Sequence, residues 1–144
     1  MDEEQADTEE DDHMTIAGMN ILLAEDNELM LEVVRDLLEE RGAVITAAGN
    51  GREAVQVFSE HPEDSFEAVL MDIAMPEMNG TDAARAIRGL DRRDSASVPI
   101  IAMTADPYEE NVAKTREAGM DACLPKPVDL RLLISILEDI HKNR

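Results

Sequence analysis

The chain has 144 residues, 44% of them apolar, a size and content that suit one domain around one core. Its formal net charge of −20 argues against nucleic acid or an anionic membrane as a direct partner, because those surfaces repel it. The single cysteine, Cys123, excludes an internal disulfide and any multi-cysteine metal site. No stretch approaches the roughly 18 apolar residues of a membrane span, so the expectation is a soluble, cytoplasmic protein.

Residues 1 to 12 hold eight acids and no base, which predicts a solvating tail or linker over 1–18, followed by one domain over 19–144. Asn20–Ala24 is a short apolar run that reads as a strand buried on both faces and ends abruptly in Glu25-Asp26-Asn27. From Glu28 to Arg41, Leu29, Val33, Val34, Leu37 and Leu38 recur at helical spacing, with Gly42 placed as a stop. Ala43–Ala48 predicts a second strand. Gly49-Asn50-Gly51 then turns the chain into a helix reaching about His61, with Ala54, Val57 and Phe58 facing inward.

Ala68–Met71 is the third strand, ending at Asp72, and a loop rich in Pro76, Asn79 and Gly80 leads to a helix over 81–88. Pro99–Met103 and the segment 108–118 form a fourth pair. Asp121–Leu124, Pro125-Lys126-Pro127 and a helix from Leu130 to about Lys142 form a fifth. Five strand–helix units predict an α/β fold, a doubly wound parallel sheet with helices on both faces. Ligands bind such sheets at the carboxyl ends of the strands.

The conspicuous polar residues fall at those ends: Glu25 and Asp26, Asp72, Thr104 and Lys126. Alone, Glu25 and Asp26 read as helix caps, Thr104 as a strand end and Lys126 as a surface lysine. Together they describe one site. Three converging carboxylates repel one another unless a cation neutralises them, and a hard, all-oxygen set suits Mg²⁺. Asp72, emerging from a buried strand, is the candidate nucleophile, since a carboxylate attacks phosphorus without a general base. Thr104 offers a hydroxyl donor and Lys126 a point charge for phosphoryl oxygens. Ala105 is small enough to leave the site open, and Pro127 admits a cis bond after the lysine.

The segments Ala24-Glu25-Asp26-Asn27, Met71-Asp72-Ile73-Ala74-Met75-Pro76-Glu77-Met78-Asn79-Gly80, Met103-Thr104-Ala105 and Leu124-Pro125-Lys126-Pro127 closely resemble the receiver domains of two-component signalling, over about 20–140. The resemblance implies a flavodoxin-like (βα)5 sheet of order 2-1-3-4-5. It implies that Asp72 takes a phosphoryl group from a histidine kinase or histidine phosphotransfer protein. It also implies that Asp26, Asp72 and the Ala74 backbone carbonyl ligate Mg²⁺, with Glu25 acting through water. Thr104 becomes a switch hydroxyl and Lys126 a phosphate contact. Ala118-Gly119-Met120-Asp121 looks most like receivers of hybrid histidine kinases. Two positions depart from the pattern: Cys123 stands where an aromatic switch residue is usual, and Met30 where hybrid-type receivers often have Asn.

The main rival is an aspartate-nucleophile phosphatase, which needs a second Asp two residues on as general acid. Ala74 occupies that position. No G-x-x-x-x-G-K-[ST] loop is present for nucleotide phosphoryl transfer. A degenerate receiver conflicts with the intact polar set. The sequence stops at Arg144, after the fifth helix, so output is expected through a partner, whether this is a single-domain regulator or part of a larger kinase. His13, His61 and His141 read as scattered, exposed residues and the nine methionines as core filler.

Overall fold

Each predicted apolar run becomes a strand and each helical stripe a helix. The computed structural model describes residues 15–105 and 109–143, the side chains of 109–111 excepted. In chain order these are β1 (Asn20–Ala24), α1 (Glu28–Glu40), β2 (Val44–Ala48), α2 (Gly51–Glu60), β3 (Ala68–Asp72), α3 (Gly80–Arg88), β4 (Ile100–Thr104), α4 (Glu109–Glu117), β5 (Ala122–Pro125) and α5 (Leu130–Lys142). The expected boundaries shift by a residue or two, and the expected helix start at Tyr108 lies outside the described residues, as do His13 and the whole acidic run over 1–12.

All four strand pairings are parallel and the order is β2-β1-β3-β4-β5, as the resemblance implied. Asn or Asp opens four of the helices. Asn27, Asn50 and Asn79 accept the amides of Met30, Glu53 and Asp82, and Asp129 accepts those of Arg131 and Leu132. Each such cap stabilises its helix by about 1 kcal/mol and fixes where the loop from the site ends.

Side chains alternate across the sheet, so β3 sends Val69 and Met71 to one face and Ala68 and Leu70 to the other. The first face is covered by Ala54 and Phe58 of α2 and Ala83, Ala84 and Ile87 of α3. The second is covered by Val34 and Leu38 of α1 and Leu133, Ile134 and Leu137 of α5. Ile16 is fully buried in this second cluster, upstream of the 18/19 boundary drawn from the sequence. Leu29 and Val33, part of the same helically spaced apolar set as Val34 and Leu38, face solvent, 72% and 44% exposed. The stripe is broader than the strip of sheet it covers.

Candidate functional site

The carboxyl ends of β1, β3, β4 and β5 meet along one edge of the sheet, and parallel pairing brings their terminal residues side by side. Glu25 follows β1, its amide held by Ala48 of β2 at 3.0 Å. Asp72 closes β3, Thr104 closes β4, and the Lys126 amide donates to the Thr104 carbonyl at 2.7 Å. Glu25, Asp72 and Thr104 are buried, whereas Asp26 is exposed at the mouth. One oxygen from each of Glu25, Asp26 and Asp72 lies within 4.8 Å of the others, the spacing a small cation bridges. This all-carboxylate donor set is hard and suits a hard divalent ion.

Lys126 reaches into the cluster, its Nζ 2.9 Å from Glu25 Oε1 and 3.0 Å from Asp72 Oδ2. The Asn27 amide donates to Glu25 Oε2 at 3.2 Å and the Ala74 amide to Asp72 Oδ1 at 3.3 Å. Burial, followed by the hydrogen bond to Glu25 and its charge, pushes Asp72 up to about 6, against the pull of Lys126. Burial also pushes Glu25 upward, but Lys126, Asp72 and the Asn27 amide bring it below the usual carboxylate value. Burial pulls Lys126 down, and its two carboxylate partners raise it above the ordinary lysine value.

The β3–α3 loop is a closed ring. The Gly80 amide donates to the Ile73 carbonyl at 2.8 Å, and a Cβ on Gly80 would sit 2.9 Å from the Asp72 carbonyl carbon. Only glycine permits that approach. Ala74 is exposed within this loop, and the Lys126–Pro127 bond is cis.

Glu25, Asp26, Asp72, Ala74, Thr104 and Lys126 thus all lie at this edge. The direct Lys126–Glu25 pair was not anticipated, and nothing local in the sequence signals a contact between residues 101 positions apart. Cys123 lies off the edge, half-buried on β5 and sharing a small cavity with Thr115 of α4, whose hydroxyl donates to the Val112 carbonyl at 2.7 Å. His61 and His141 are not the exposed residues expected. His61 bonds the Val57 carbonyl and leans on Phe66, and His141 Nδ1 lies 2.7 Å from buried Glu67. A cleft of about 460 Å³ near Glu67 and Asp139, at the opposite end of the sheet, contains none of the site residues.

A parallel sheet of order 2-1-3-4-5 with an acidic cluster and a lysine at its carboxyl edge defines a domain of the doubly wound α/β class with a candidate cation site at its strand ends. The chain belongs to the response regulator receiver domain family, whose profile matches residues 21–138. Probable histidine kinase 2 of Oryza sativa subsp. indica is 32% identical over 148 residues, covering 95% of this chain. That alignment covers 14% of the relative, so the chain spans about one-seventh of its length.

The receiver domain of the histidine kinase CKI1 from Arabidopsis thaliana, solved complexed with Mg²⁺ and BeF3⁻, superposes with a TM-score of 0.79 at 29% identity, covering 91% of this chain and 95% of that one. The receiver domain of Ssk1 from Saccharomyces cerevisiae, solved with the histidine phosphotransfer protein Ypd1, gives 0.76 at 28% identity, covering 87% and 90%.

Proposed function

We propose that this domain accepts a phosphoryl group from a phosphohistidine onto Asp72, with Mg²⁺ beside it, and signals by the conformational change that follows. The observation that carries this reading is the meeting of Asp72 with two further carboxylates and one lysine at the carboxyl edge of the sheet. Asp26, Asp72 and the Ala74 carbonyl would hold the ion, with Glu25 acting through water. The ion supplies charge neutralisation between the acids and an incoming phosphoryl dianion.

A carboxylate oxygen of Asp72 attacks phosphorus as the phosphorus–nitrogen bond to the donor imidazole breaks, leaving an acyl phosphate and a free histidine. Lys126 leaves Asp72 for a phosphoryl oxygen, and the Thr104 hydroxyl donates to another. That movement of Thr104 starts the conformational switch. With Ala74 in place of a general acid, turnover is limited to self-catalysed phosphotransfer and slow autodephosphorylation.

The partner is a histidine kinase or a histidine phosphotransfer protein. The Ssk1–Ypd1 pairing supports this, as do the exposed Leu29 and Val33 of α1 and Leu132 in the first turn of α5, which offer apolar surface on the helices that leave the site. The charge of −20 disfavours direct contact with nucleic acid. Among the described residues no helix is long and apolar enough to cross a membrane, in keeping with a cytoplasmic place of action.

Labelling with a phosphorylated histidine phosphotransfer protein or acetyl phosphate tests the reading. Asp72→Asn is expected to abolish acyl-phosphate formation and a chelator to suppress it. Removing Asp26 should cost more than removing Glu25. A stable acyl phosphate on the Asp72→Asn protein, or equal labelling with chelator, overturns it.

A further inference from the structure

The β3–α3 loop is braced from a second side, by the start of α2. Gly51, the first residue of that helix, is buried, and its amide donates to the Met78 carbonyl at 3.1 Å. A Cβ at this position would lie 2.8 Å from the Met78 carbonyl carbon and 3.1 Å from the Asn79 oxygen, and closer still to the Met78 oxygen. These are backbone atoms, which cannot rotate away as a side-chain tip can. Any side chain here therefore drives α2 and the loop apart by about 1 Å before ordinary carbon–oxygen contact is restored.

The loop is poorly able to absorb such a displacement. Its ends are closed by the Gly80–Ile73 bond, Met78 is tied back to the Pro76 carbonyl at 2.7 Å, and Glu77 already holds a φ of 69°. The exposed Arg52–Glu77 pair, 3.9 Å apart, is too long and too solvated to hold the loop instead. A shift at Met78 therefore passes through the ring toward Ala74 and Asp72.

We infer that Gly51 is a positioning residue for the metal site: its missing side chain lets α2 seat against Met78 and hold the loop that presents Ala74 beside Asp72. This rests on the reading of Asp72 and Ala74 as Mg²⁺ ligands. Mg²⁺ demands near-ideal octahedral geometry at about 2.0–2.1 Å, so a displaced loop is felt first as lost affinity. No residue of the acceptor chemistry itself is altered.

The test is calorimetric titration of Mg²⁺ into the natural domain, Gly51→Ala and Ile134→Val, the last a core change in α5 on the other face of the sheet. Gly51→Ala is expected to weaken Mg²⁺ binding about tenfold or more, as loss of a supporting contact does at other metal sites. Ile134→Val is expected to lower the melting temperature and leave Mg²⁺ affinity unchanged. Natural affinity in Gly51→Ala, or an equal loss in Ile134→Val, overturns the inference. Amide exchange on the natural domain gives a readout that needs no variant: Mg²⁺ should slow the Gly51 and Gly80 amides together. Slowing of Gly80 alone would also overturn it. A natural domain that binds no Mg²⁺ at all brings down the site reading itself.

Discussion

Asp72 and Lys126 sit in a buried cluster where two carboxylates compete for one ammonium, and holding the like charges together is costly. Asp72 is buried beside Glu25 and titrates near 6 instead of 3.8, so its folded form binds a proton more readily than its unfolded form. For an acid shifted upward, the stabilising contribution is complete below the unfolded value and is lost as pH rises through the folded one. Asp72→Asn, measured by thermal unfolding in chelator, should therefore stabilise the domain at pH 7 by about 1–3 kcal/mol. The gain should shrink as pH falls from 6 to 4, and a gain independent of pH would exclude this origin. Lys126→Met works in the opposite direction. It leaves Glu25 and Asp72 buried without their cation, and the expected loss is about 3 kcal/mol in chelator. Added Mg²⁺ should recover part of that loss, measured as a rise in melting temperature larger than in the natural protein.

At the scale of elements, the least expected feature is the end of α2. Arg92, in the connection before β4, donates to the carbonyls of Phe58, Ser59 and His61 at 2.9, 3.2 and 2.8 Å, closing the helix where no glycine cap follows. The same guanidinium grips both oxygens of buried Asp94, at 3.0 and 3.1 Å, and lies 4.8 Å over the Phe58 ring. Burial pushes Asp94 up, and the hydrogen bonds from Arg92 and the Asp64 amide more than reverse it. Arg92→Ala should cost about 3–5 kcal/mol in denaturant unfolding, because it strands a buried carboxylate. Arg92→Lys should recover little of this, since a lysine cannot fork between carboxylate and carbonyls. Recovery to within about 1 kcal/mol would show that charge alone suffices.

Across the whole molecule, the question is how an event at Asp72 reaches a surface. Arg88 of α3 binds the Gly119 carbonyl through Nε at 2.9 Å and Nη2 at 2.8 Å, pinning the carboxyl end of α4. Its Nη2 also meets Asp121, which accepts the Ile100 amide, so that end of α4 is tied to α3 and β4 together. Cys123 lines a cavity of about 60 Å³ against Val112 and Thr115 of α4, too small for an aromatic ring to enter without displacement. The proposed switch at Thr104 is therefore expected to move the loop after Ala105 and the amino-terminal end of α4 more than β5. NMR shift changes on adding beryllofluoride and Mg²⁺ test this against Cys123→Tyr. A β5 response as strong with cysteine as with tyrosine would rule out an altered readout.

The sequence by itself determined the order of elements, because strand and helix periodicities alternate without ambiguity from Asn20 onward. It also determined the chemical types at the site, because in a parallel sheet every strand's carboxyl end faces the same edge, whatever the strand order. Only the tertiary structure decided which of those groups touch. Lys126 meets Glu25 across 101 positions because β5 and β1 share one edge, a matter of strand order and loop path that no local pattern encodes. The raised Asp72, the Arg92 clamp and the Glu67–His141 pair have the same origin. The outward turn of Leu29 and Val33 was hidden for a related reason: periodicity marks an apolar stripe, and only packing against the sheet selects which part of it is covered.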